Sequence, residues 1–260
     1  MTAVTIEPVS GDRRKLRWWH MLVPLIVLFL TPAIFAGSEI AYTMLHQGAS
    51  SPDPLHALLN DPIGMNINMI VSYGLMLLVL WWIARTRGPV PISGYFRRVD
   101  ARTNMMAAVV GVLLVGVLFV VANILDYTHL VAFHETKIEN LLKAHTVRQL
   151  VLTLIMAALI GPIAEEIYFR GLFLVWLRQN WSLPVAIIVN AVLFALVHGD
   201  MIADPGAQGW IETAGIACVA YVNVMWTVRT GSLWPAFITH GVFNGLQIVV
   251  SSWPMVFGHG

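Results

Sequence analysis

Seven apolar runs separated by short polar segments organise the chain, at about 21–45, 63–84, 104–124, 150–177, 185–198, 210–228 and 233–250. None alternates strictly between apolar and polar positions, and most have the roughly 17–25 residues that a membrane-crossing helix needs. Hydrocarbon offers no water to backbone N–H and C=O groups, so these runs must satisfy their hydrogen bonds internally, as helices do. The pattern predicts an all-α, polytopic membrane helix bundle with about seven transmembrane helices. The mixed-charge segment 126–148 breaks the pattern and reads as one amphipathic interfacial helix.

The polar segments orient the bundle. Arg13, Arg14, Lys15 and Arg17 precede Trp18, Trp19 and the first apolar run. That run is too long for the core of a cleaved signal, so it reads as an uncleaved first span with a cytoplasmic N-terminus. Arg85, Arg87, Arg97, Arg98 and Arg102 form a second basic loop, which the same rule places in the cytoplasm. The Gly-, Ser- and Pro-containing segment 46–61 then falls on the outer side. A multi-pass protein of the cell (inner) membrane is expected, its C-terminus outside if all seven runs cross.

Composition agrees. Hydrophobic residues make up 58% of the 260 and charged residues 11%, against roughly 45–50% and 25% in soluble domains. Mean hydropathy is +0.74. The lipid bilayer is the expected surrounding. A net charge of +1 gives no reason to expect a nucleic-acid partner. The single cysteine, Cys218, excludes an internal disulfide and reads as a buried, inert thiol.

Chemistry concentrates in the fourth run, where Glu165, Glu166 and Arg170 follow Gly161-Pro162, a sequence that predicts a kink. A charged residue at the centre of a membrane helix costs roughly 2.5–3.5 kcal/mol on insertion scales, so three together are paired, functional or both. At about 100° per residue, Glu166 and Arg170 form an i,i+4 pair, while Glu165 points about 140° from the arginine. One carboxylate is neutralised locally and the other is left over. The fifth run carries Asn190, Phe194 and His198 on one face, the sixth Asn223, and the seventh His240 and Asn244 on one face. A carboxylate, histidines and amide donors are the ingredients of a hydrolytic site, in which a base activates water and donors stabilise an oxyanion. Interhelical glue is the bland alternative, at about 0.6 kcal/mol per contact. It accounts poorly for a spare carboxylate beside a paired one. Glu165, His198 and His240 could also be donors to zinc, but H-E-x-x-H is absent, and no metal or other cofactor is expected. A transporter that protonates Glu165 is a third reading, weakened by the lack of a visible internal repeat.

The motifs Glu165-Glu166-x-x-x-Arg170, Phe194-x-x-x-His198 and His240-x-x-x-Asn244, in this order and each within an apolar run, resemble those of the CPBP family. That family includes CAAX prenyl endopeptidases of the Rce1 type and the bacterial abortive-infection (Abi) and bacteriocin-immunity proteins. The resemblance covers about residues 145–250. It implies an intramembrane glutamic protease acting on membrane-associated peptide or protein substrates. Glu165 and His198 would activate water, His240 and Asn244 would form the oxyanion hole, and Glu166, Arg170 and Phe194 would support the site. The alternative within the family is a non-catalytic membrane module of the immunity or Abi type. The expected organisation is a basic cytoplasmic N-terminus over 1–18, transmembrane helices over 19–128, the protease core over 129–251 and a tail over 252–260.

Overall fold

The structure is a computed structural model, which describes residues 15–47, 62–88, 91–134, 143–199, 202 and 204–258. Among the described residues there are eight helices and no strand: α1 (Trp18–Gln47), α2 (Pro62–Thr86), α3 (Ile92–Tyr95), α4 (Ala101–Tyr127), α5 (Val147–Asn180), α6 (Leu183–His198), α7 (Ala207–Thr230) and α8 (Trp234–Phe257). Each of the seven apolar runs is a helix; only the one-turn α3 was not anticipated. Helices α2, α4, α5 and α7 are long and apolar enough to cross a membrane. The 24-residue α8 has the length, about 36 Å at 1.5 Å per residue. Its lower apolarity comes from His240, Asn244 and Gln247. The protein is an all-α membrane bundle.

Of the segment expected to lie along the interface, Asp126 and Tyr127 end α4, Val147 and Arg148 begin α5, and 128–134 and 143–146 are turns, bends or irregular backbone. Residues 135–142 lie outside the described residues, as do 1–14 and most of the expected outer loop, 48–61. Local chemistry fixes the helix ends. Asp100 caps α4 by accepting from the Thr103 amide at 2.8 Å and its hydroxyl at 2.7 Å, and these bonds hold the exposed carboxyl below the usual carboxylate range. Thr146 caps α5. Helices α6 and α7 end at Gly199 and Gly231, whose φ angles of 78° and 65° are left-handed and suit a residue without Cβ.

The core forms around α5. Leu172, Leu174 and Leu177 are almost wholly buried, with Met76, Leu80 and Ile83 of α2 and Ala186 and Phe194 of α6. The outer surface is apolar too: Val109, Val112, Leu113, Val117, Phe119, Val120 and Ile124 of α4 are all exposed. In a bilayer such a face contacts lipid, so hydropathy alone does not separate inside from outside. Cys218, expected to be buried, is exposed on α7 for this reason.

Helix α5 does not break at Gly161-Pro162. It runs through them with a π-helical stretch on each side, Ile155–Ile160 and Ile167–Phe173. Proline has no N–H to offer the preceding turn, which leaves the Ala157 carbonyl without its helical donor. The Asn244 amide of α8 takes that carbonyl at 2.8 Å. Asn190 of α6 likewise donates to Phe169 in the second π stretch at 2.7 Å. The widened turns are thus braced by asparagines from two neighbouring helices.

Helix α8 comes very close to the first π stretch. A Cβ on Gly241 would lie 2.6 Å from the Ala158 carbonyl oxygen, and one on Gly111 of α4 would lie 2.8 Å from that of Thr239. Small residues that let backbones touch are how membrane helices pack without a hydrophobic driving force. Gly241→Ala must push α8 and α5 apart, an overpacking penalty of about 1–3 kcal/mol. Purified in detergent, this variant is expected to melt several degrees below the wild type; an unchanged melting temperature would contradict the close approach.

Candidate active site

The two adjacent glutamates of α5 face different surroundings. Glu166 is fully buried, and its Oε1 accepts from Arg170 Nη1 at 3.1 Å, Asn223 Nδ2 of α7 at 3.0 Å and His240 Nδ1 of α8 at 2.9 Å. Arg170, also buried, donates from Nη2 to the Ala220 carbonyl at 3.0 Å, and its guanidinium lies 4.3 Å from the Phe194 ring centroid. The i,i+4 pair expected from the sequence is present, and three helices converge on it.

Glu165 turns away from this cluster. Its Oε1 accepts from the Tyr73 hydroxyl of α2 at 2.5 Å. Its Oε2 lies 3.9 Å from His198 Nε2 and 3.7 Å from His240 Nε2. Both separations exceed a direct hydrogen bond, so the three atoms surround a point that a water or a substrate atom can share.

Second partners orient both imidazoles. His198 Nδ1 lies 2.8 Å from the Phe194 carbonyl one turn earlier. A carbonyl only accepts, so Nδ1 carries the proton and Nε2 presents its lone pair to Glu165 in the neutral ring. His240 makes the same arrangement with Glu166, its Nδ1 toward Glu166 and its Nε2 toward Glu165, and so bridges the two carboxylates. Phe194 fills the space between them, its ring centroid 4.5 Å from that of His198 and 5.6 Å from that of His240. The His198 side chain is 32% exposed and that of His240 only 4%, so the site opens on the His198 side.

A cavity of about 240 Å³ reaches this open side. Leu28, Phe29 and Pro32 of α1 and Met69 and Met76 of α2 make its apolar wall, and Tyr73, Glu165 and His198 its polar end.

Glu165, His198, His240, Glu166, Arg170 and Phe194 are thus brought together. Asn244 lies one turn from His240 with its amide on the Ala157 carbonyl. Glu165, His198 and His240 face one another, but among the described residues no group of three or more His, Cys, Asp or Glu side chains is arranged to hold a metal ion. Sequence reasoning missed Tyr73 altogether and gave Asn223 little weight. The signal for Tyr73 was its position seven residues after Asn66, which puts two polar side chains on one face of an apolar helix. Asn66 meets Thr153 of α5 at 3.4 Å, two turns from where Tyr73 meets Glu165.

Residues 147–246 match the model of the family described as type II CAAX prenyl endopeptidase Rce1-like. That stretch, well under half of the chain, is similar to the Rce1-like family. The match begins with α5 and ends in α8, so it contains both glutamates, Arg170, both histidines and Asn244, and leaves out α1 to α4. No curated protein and no solved structure matches the chain. This similarity and the apolar helices support a multi-pass membrane protein of the CAAX-protease-like endopeptidase kind in general.

Proposed function

We propose that the protein is an intramembrane endopeptidase that hydrolyses peptide bonds of membrane-associated substrates with a glutamate-activated water and no metal. The observation that carries this reading is the position of Glu165 Oε2, which faces both imidazole Nε2 atoms while Arg170 neutralises the neighbouring carboxylate. Glu165 removes a proton from a water held beside His198, and the hydroxide attacks the scissile carbonyl carbon. Charge on the former carbonyl oxygen is met by donors from α8: His240 in its doubly protonated form, and the second N–H of Asn244. The tetrahedral intermediate collapses as the C–N bond breaks, and the proton held by Glu165 passes to the leaving amine. Positioned acid–base groups of this kind contribute about 10²–10⁴-fold, and preorganised oxyanion donors a similar factor.

The remaining groups hold this arrangement. Glu166, fixed by Arg170 and Asn223, sets the ring of His240; Phe194 separates the histidines and packs under the guanidinium. The substrate approaches along the cavity walled by α1 and α2. The basic N-terminus and the Arg85 to Arg102 loop orient the protein with its N-terminus in the cytoplasm of a cell membrane.

The test is a mass-spectrometric comparison of membrane proteomes from cells that contain the wild-type protein and cells that lack it. New internal peptide termini are expected only with the wild type, and their formation in isolated membranes should withstand metal chelators. Identical sets of termini would favour the non-catalytic module, and inhibition by chelators reversed by zinc would overturn the metal-free mechanism.

A further inference from the structure

The family match leaves α2 out, yet α2 supplies, among the described residues, the one hydroxyl that hydrogen-bonds Glu165. The Tyr73 ring lies over Gly161, at a distance where a Cβ on that glycine would sit 3.4 Å from the tyrosine Cζ. Its hydroxyl donates to Glu165 Oε1, the carboxylate oxygen on the side away from the histidines. The neighbouring Ser72 also lines the cavity, but its hydroxyl donates to the Asn68 carbonyl of its own helix at 2.8 Å.

A carboxylate's terminal torsion is broad and roughly two-fold, so nothing within Glu165 itself decides how its oxygens are presented. A donor fixed on one oxygen removes that freedom. We propose that Tyr73 is a positioning residue for Glu165: its hydroxyl holds Oε1 and thereby keeps Oε2 aimed at the point shared with His198 and His240. This rests on the reading of Glu165 as the general base. It adds that the Rce1-like stretch, as matched, is incomplete as a catalyst, because the orientation of its base comes from α2. A plain helix-to-helix contact is the competing explanation for the same bond, and it predicts an effect on stability without one on turnover.

Tyr73→Phe removes the hydroxyl and keeps the ring against Gly161. The measurement uses full-length protein in liposomes with an internally quenched, prenylated CAAX peptide as probe, and follows kcat, KM and melting temperature for the wild type, Tyr73→Phe and Tyr73→Leu. A misoriented base should lower kcat about 10- to 100-fold, the range for a small misplacement of a reacting group. KM should stay within a factor of about two, because Tyr73 spends its hydroxyl on Glu165, and uniform binding lost would appear in KM instead. The melting temperature of Tyr73→Phe should stay close to wild type, whereas Tyr73→Leu, which also loses the ring, should fall in both kcat and melting temperature. Wild-type kcat in Tyr73→Phe, or a fall in kcat matched by a fall in melting temperature, would overturn the positioning role while leaving the proposed base untouched. If the wild type leaves the probe uncleaved while capturing it in the membrane, the proposed function falls, and this inference with it.

Discussion

Arg170→Ala is expected to destabilise the protein severely, with low expression and, for what can be purified, a melting temperature lower by on the order of 10 °C. The reason lies in what remains. Glu166 has no exposed surface and shares its carboxylate with Arg170, Asn223 and His240. Without the guanidinium, two neutral-capable donors are left to hold a buried negative charge. Breaking a buried pair by removing one partner costs about 3–5 kcal/mol. The truncation also opens space against Phe194 and removes the donor to Ala220. Arg170→Lys should be intermediate, since an ammonium retains the charge but has no planar fork to serve Glu166 and Ala220 together. The check is expression level and thermal melting of the three proteins in one detergent; an alanine variant as stable as the wild type would remove the pair from the structural core of this account.

Glu165→Gln is expected to do the reverse: cleavage falls by at least about 10²-fold, the lower end for loss of a general base, while expression and melting remain close to wild type. Glutamine has nearly the same shape. Its carbonyl oxygen can still accept from Tyr73, and an amide N–H can point to the Nε2 lone pair of His198, so the side chain keeps partners on both sides. What disappears is the ability to take a proton from water. Melting curves recorded beside those of Arg170→Ala separate the two carboxylate environments. If Glu165→Gln melts well below Arg170→Ala, the structural and catalytic roles of the two glutamates have been exchanged.

Much of this arrangement was legible in the chain, because helical periodicity acts over a few residues. Glu166 and Arg170 are four apart, and their pairing follows from the helix alone. Asn190, Phe194 and His198 share a face, and all three meet α5 or the site, as the spacing requires. The separation of Glu165 from Arg170 around the helix survives the π-helical turns on either side. What the chain concealed depends on contacts between distant helices. Tyr73 meets Glu165 across 92 positions, and no local pattern names that partner. Asn244 was expected only as an oxyanion donor; its bond to Ala157 follows from the N–H that Pro162 lacks, together with a turn widened by π-helical bonding. Cys218 shows the weakness of hydropathy in a bilayer, where lipid-facing and buried positions are equally apolar. In the segment 126–148, charge suggested an interfacial helix; 128–134 and 143–146 lie outside any helix, and the stretch between them lies outside the described residues.

The claim at the centre is that Glu165 activates the water that cleaves a peptide bond inside the membrane. The most direct measurement reconstitutes purified wild type and Glu165→Gln at equal density in liposomes with an internally quenched, prenylated CAAX peptide, and identifies the products by mass spectrometry. The account predicts two fragments with new termini from the wild type, formed equally well with a chelator present, and at least about 10²-fold slower product formation from a Glu165→Gln protein that melts normally. Equal rates of the same fragments from both proteins would contradict it.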